Sequence, residues 1–218
     1  MTKGALVSVT SALGSSAPNV IVFQFNPETL RHSWTQPKAS TSGSNPLGVQ
    51  GPPGESFSFM LAMDATDQLA LDPLNPQFID ADANGVYSRI SALEMLMFPV
   101  KVGGGLLGSA PATGVRRKVP AEQVPAVLFV WGLGRIVPVR VTSLTITEKL
   151  FDGKLNPTHA EAQIDLRVLT PLELKSVGPL KDFVTGAYRY SQTRRELGAL
   201  FNLTNASASI ALPPFPGL

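Results

Sequence analysis

No cysteine occurs in the 218-residue chain, which excludes disulfides, thiolate metal ligands and cysteine nucleophiles. Histidine is nearly missing as well. His32 and His159 are the only imidazoles, and neither has a nearby Ser or carboxylate arrangement that would form a relay, so histidine catalysis is not expected. Charge is scarce at 16% of residues, against about 25% in an average soluble domain. The 18 basic and 16 acidic residues leave a net charge of +2, a field too weak to imply nucleic-acid binding despite a pI near 9.0. Long apolar runs are also lacking. Pro, Gly or a charge interrupts each one before it could span a bilayer, and Met1 to Ser8 carries no export-type apolar run. What is abundant is glycine and proline, 19 of each. A loop-rich chain so poor in charge is expected to hide much of its exterior in an assembly.

The clearest pattern runs from Ala126 to Leu169 and reads as one long antiparallel β-hairpin. In its second arm Ala160, Ala162, Ile164, Leu166 and Val168 alternate with Glu161, Gln163, Asp165 and Arg167, so one face is buried and the other polar. In its first arm the apolar phase slips from Val137, Val139 and Val141 to Leu144 and Ile146, which predicts a bulge near Thr142-Ser143. Between the arms, Phe151 to Pro157 offers Asp-Gly as turn residues and Asn-Pro as a ladder stop. Val20 to Phe25 reads as a strand, with Leu30 to Thr35 as its return arm across Asn26-Pro27. Glu55 to Met63 is a further half-buried strand. Val86, Ile90, Leu93 and Met97 have helical spacing, with Asp82 or Asn84 to cap the start and Pro99 to end it. A short helix is expected from Tyr188 to Phe201, and 211–218 is extended at best. The expected core combines Phe23, Phe25, Phe57 and Phe59 with Ile164, Leu166 and Val168.

Several motifs suggest chemistry but lack its context. Gly103, Gly105 and Gly108 have G-x-G-x-x-G spacing, yet Ser109 to Gly114 cannot supply the helix a dinucleotide site needs, so a loop is expected. Asp80-Ala81-Asp82-Ala83-Asn84-Gly85 matches half of a calcium loop, but Ser91 stands where a bidentate Glu belongs, and helix capping is the simpler reading. Asp64, Asp67 and Asp72 read as solvated, as does the basic run Arg116, Arg117 and Lys118. The overlapping Asn202 and Asn205 acceptor patterns mean little without an export signal. No catalytic, cofactor or metal set is expected.

Taken in order, Phe23-Gln24-Phe25-Asn26-Pro27-Glu28-Thr29-Leu30, Phe57-Ser58-Phe59-Met60-Leu61, the helix after Asp82, Leu128-Phe129-Val130-Trp131-Gly132 and Leu150-Phe151-Asp152-Gly153 resemble a known group. It is the N-terminal tube domain of contractile injection system and phage-tail baseplate proteins, often joined to a LysM domain. The resemblance covers roughly residues 18–172. It implies a mainly β fold with one short helix, a tail-tube-like antiparallel β-barrel or sandwich over 1–172 with long loops at 36–54 and 103–122. Residues 173–218 would form a C-terminal extension. It implies a hexameric ring of this chain that joins a spike protein to an inner-tube or second initiator protein and initiates tube assembly, with sheath or wedge proteins as further partners. Neither enzyme activity nor a cofactor goes with that role, and assembly would take place in the cytoplasm, into a phage-tail-like particle. Glu161, Gln163, Asp165 and Arg167 would face the lumen or a subunit seam. Gly103, Gly105, Gly108, Arg116, Arg117 and Lys118 would lie in inter-ring loops. Residues 173–218 lack the LysM pattern, so a different contact is expected there. The alternatives are an ordinary inner-tube ring and a small β-barrel ligand-binding module. The latter would want clustered exposed aromatics, whereas Trp34 and Trp131 both lie in strand-like settings where packing is expected.

Overall fold

The computed structural model describes residues 2–8, 19–38, 47–99, 124–176 and 181–209. The expectations for Gly103, Gly105, Gly108, Arg116, Arg117, Lys118 and the segment 211–218 lie outside them.

The protein is mainly β. Its strands are β1 (Ala5–Ser8), β2 (Val20–Val22), β3 (Leu30–Thr35), β4 (Gly54–Asp64), β5 (Val127–Trp131), β6 (Arg135–Phe151) and β7 (Pro157–Val168). They form a single seven-stranded antiparallel sheet in the order β2-β1-β5-β6-β7-β4-β3. The sheet is not closed into a barrel, because β2 and β3 are edges among the described residues. It is nevertheless strongly curled. Strands β4 and β5 are three ladder steps apart, about 14 Å in a flat sheet, yet the Phe57 and Phe129 ring centroids are 5.2 Å apart. The concave face holds the core: Phe57, Phe59, Leu61 and Met63 of β4, Phe129 of β5, Val137 and Val139 of β6, and Ala160 to Val168 in alternation on β7.

Among the described residues four α-helices flank this sheet, α1 (Thr66–Leu69), α2 (Pro76–Asn84), α3 (Tyr87–Glu94) and α4 (Lys181–Ser209), with a 3₁₀ turn at Glu173–Ser176. The single short helix expected before Pro99 is therefore a helical pair. Asn75 caps α2 by accepting from the Gln77 N–H, and Pro76 fits the first helical position. The calcium-like run is thus helical through Asn84, and α3 begins after Val86 with no side-chain cap. Gly85, at φ 60°, turns the corner. Its Cα faces the Pro157 carbonyl so closely that a Cβ would lie 2.1 Å from that oxygen, so only glycine fits there. Ala81, Val86, Ile90 and Leu93 then complete the core.

Four sequence expectations need correction. The early hairpin does not form: β2 pairs with β1 and β3 with β4, at opposite ends of the sheet. The connecting segment crosses the concave face, where Phe23 packs between Phe59 and Trp131, and the Gln24 amide both accepts from Asp64 N–H and donates to Asp64 O at 2.9 Å each. Those long-range contacts outweigh the local Asn-Pro turn signal, and they leave Phe25 46% exposed rather than in the core. The 126–169 hairpin is a three-strand meander, because Gly132 at φ 65° opens a turn between β5 and β6. The C-terminal helix is far longer than Tyr188 to Phe201, at 29 residues.

The expected bulge is present. The β6/β7 register shifts between Val141 and Ser143, and the Thr142 hydroxyl donates to Asp165 O at 3.0 Å. The β6–β7 turn is held by Asp152, whose carboxylate accepts from the Lys154 and Asn156 N–H groups. Positive φ falls on Leu155, not on Asp152 or Gly153.

Candidate assembly surfaces

The convex face of β3, β4, β7 and β6 is polar across its width. Register places Arg31 beside Ser58, Ser58 beside Asp165, and Asp165 beside Ser143; one step along, Met60, Gln163 and Thr145 form the next row. Glu161, Gln163, Asp165 and Arg167 therefore stand together opposite the core, all half-buried. The first row mixes hydroxyls with opposite charges and the second sets uncharged polar groups beside the exposed Met60, so the face is wetted but carries little net field. Gln163 donates to Ser58 Oγ at 2.9 Å, and Lys149 pairs with Glu161 at 2.6 Å. That hydrogen bond holds the Glu161 carboxyl below its ordinary range. His159 Nδ1 lies 3.2 Å from Asp64 Oδ2, while the Thr66 side chain chiefly keeps Asp64 acidic.

Arg167 reaches Glu173 with both guanidinium nitrogens, at 2.6 and 3.2 Å. Glu173 also accepts from the Thr170 N–H and hydroxyl at 2.9 Å each. Arg167 first, then the Thr170 bonds, hold its pKa down to about 2 against burial, which opposes them. This pair ties the convex face to the turn that leads into α4.

The sheet edges form a second feature. On β2, Ser8 N–H donates to Asn19 O and Phe23 N–H to Gly4 O, so residues 19, 21 and 23 face β1. By antiparallel alternation the backbone groups of Val20 and Val22 point outward, and both side chains are exposed. The opposite edge is β3. A strand edge with unmet donors and acceptors is a template for another strand.

The third feature is the clamp made by α4. Past Val168 the β7 ladder ends, and Ile136 on β6 would keep an open N–H and C=O. Ser191, 2% exposed, fills that place: its hydroxyl donates to Ile136 O at 2.8 Å and accepts from Ile136 N–H at 3.3 Å. One turn on, Arg195 pairs with Glu55, stacking its guanidinium 4.7 Å from the Trp34 ring centroid. The Glu55 side chain is 3% exposed and lies 2.9 Å from His32 Nε2. Val184 seals the helix start against Leu128, Leu169 and Leu174. Beside the clamp is a cavity of about 160 Å³ bordered by Trp34, Pro52, Pro53, Glu55 and Tyr188. The sequence carried one signal for this cluster: Glu55 shares the apolar phase of Phe57, Phe59 and Leu61, where a carboxylate must find partners. Trp34, expected to be packed, is 47% exposed and held by Arg195.

Among the described residues no group of three or more His, Asp or Glu side chains is placed to hold a metal ion, and no helix is long and apolar enough to cross a membrane. Asp80, the first position of the calcium-like run, accepts instead from Asn84 Nδ2 and Ser88 Oγ. No protein-family model and no curated protein matches the chain.

Proposed function

We propose that the chain is a structural ring subunit: a baseplate or tube adaptor of a contractile injection system or phage-tail-like particle, which forms a hexamer, joins the spike to the inner tube and initiates tube assembly. The observation that carries this reading is the curled sheet with one edge at β2 and the other at β3 among the described residues, and a polar convex face over β3, β4, β7 and β6. Two different edges on one subunit make a head-to-tail contact, and such contacts close into rings when the rotation allows. Joined that way, β3 of one copy meets β2 of the next, and Glu161, Gln163, Asp165 and Arg167 lie on a wettable surface suited to a lumen or seam. The ordered motif resemblance over roughly residues 18–172 supports the same role. On this reading the protein is not an enzyme and takes no cofactor. Its partners are further copies of itself, the spike, and an inner-tube or second initiator protein, assembled in the cytoplasm of the producing cell.

The test is to delete the gene in the source organism and image the particles it makes. Loss of tubes with intact spikes supports the adaptor role. Normal full-length tubes on a complete baseplate reject it.

A further inference from the structure

We propose that the distal half of α4 is a docking arm that seats on a second copy of this chain, in the apolar cavity beside the neighbour's β2; the inference rests on the head-to-tail ring above. Beyond Arg195 every residue from Glu196 to Thr204 is exposed. Leu197, Leu200 and Phe201 nevertheless recur at i, i+3 and i+4, which puts them on one helical stripe. Among the described residues nothing covers that stripe, and the contacts of α4 with the sheet reach as far as Arg195 on Glu55 and Trp34, at the β3 side.

The complementary feature lies at the other edge. There β2, the end of β4 and α3 enclose a cavity of about 230 Å³ lined by Val20, Val22, Leu61, Met63, Ala92 and Arg89. An apolar cavity of about 150 Å³ takes a benzene ring, so this one has room for the Phe201 ring. Charge agrees with the pairing. Arg89, the one charged residue lining the cavity, donates to Gln24 Oε1 and faces Asp80 and Asp67 from within its own chain; Glu196, one turn before Leu200 and the one charged residue of α4 beyond Arg195, would add a further carboxylate to that guanidinium. An arm that leaves from the β3 side and a socket that opens at the β2 side belong to different copies in a head-to-tail ring. The arm would then lock the same seam that the strand edges form.

The lack of native cysteine makes a clean test. Leu197→Cys and Ala92→Cys are made in separate full-length proteins, mixed in equal amounts and oxidised mildly, with the mass of the untreated wild-type assembly measured under the same conditions. Seating raises the local thiol concentration, so the mixed disulfide dimer is expected to exceed either homodimer about tenfold. Adding Leu200→Asp to the Leu197→Cys protein is expected to abolish that excess while leaving monomer melting unchanged. A wild-type ring without the mixed product overturns the arm and leaves the ring standing. A dominant Leu197→Cys homodimer overturns the arm in favour of two-fold pairing of helices. A wild-type monomer with no cross-link overturns both arm and ring.

Discussion

Ile164 carries the most exposed test of the core, because it is 1% exposed and packs in the middle of β7 on the concave face. Ile164→Asp places an unpaired carboxylate there at a cost of several kcal/mol, comparable with the whole stability of many domains, about 5–15 kcal/mol. The variant is expected to be insoluble or to lack a cooperative melt; a soluble, cooperatively melting form contradicts the core assignment. Glu173 makes a prediction of the opposite kind, in pH. Its folded pKa is depressed to about 2 from 4.5, so the stability it adds is fully present above 4.5 and is lost as pH falls from there toward 2. The side chain is 39% exposed, so solvent screening reduces the effect to about 1 kcal/mol. Denaturant melts of wild type and Glu173→Gln should therefore differ by that amount near neutral pH and converge at about pH 2. A constant gap across the range removes Glu173 as the cause.

At the scale of elements, α4 is held to the sheet by an apolar cluster at its start and by polar contacts further along. Val184 is buried, but the clamp at Ser191 and Arg195 decides where the helix lies. Arg195→Ala leaves the buried Glu55 with His32 alone, an expected loss of about 2 kcal/mol. Hydrogen exchange should then quicken across Lys181 to Arg195 while β6 and β7 stay protected. Arg195→Lys keeps the charge but loses the planar stack on Trp34, so it should recover only part of that protection. Unchanged exchange in Arg195→Ala would mean that the apolar contacts of Val184 and Tyr188 suffice. The same contrast separates the two halves of the chain in sequence terms. Period-two alternation made β4 and β7 legible, since each has one wholly apolar phase. The clamp was not legible beyond Glu55, because Arg195 lies 140 residues away in sequence.

For the whole molecule, the decisive property is that, among the described residues, the sheet ends in two unlike edges. Val22 points its N–H away from β1 and is 58% exposed, so Val22→Pro removes an outward donor while leaving the Ile21 and Phe23 bonds to β1 intact. The monomer is expected to melt within about 0.5 kcal/mol of wild type, as exposed substitutions usually do. Assembly should be lost, which native mass spectrometry reads directly. A ring that persists in Val22→Pro would show that closure does not use the β2 edge.

The sequence by itself determined the mainly β fold class and much of its local detail. Alternation fixed which face of β7 is buried, and the phase slip located the bulge between Val141 and Ser143. These signals are local: each is carried by side chains within a few residues of one another, where the pleat leaves no choice of face. Strand order was decided only in three dimensions. Phe23 gained Phe59 and Trp131 by crossing the concave face, Gln24 gained the Asp64 backbone, and β2 and β3 were thereby sent to opposite edges. Burial of one aromatic ring and two reciprocal hydrogen bonds outweigh a tight Asn-Pro turn, and no pattern within 20–35 records partners that lie dozens of residues downstream.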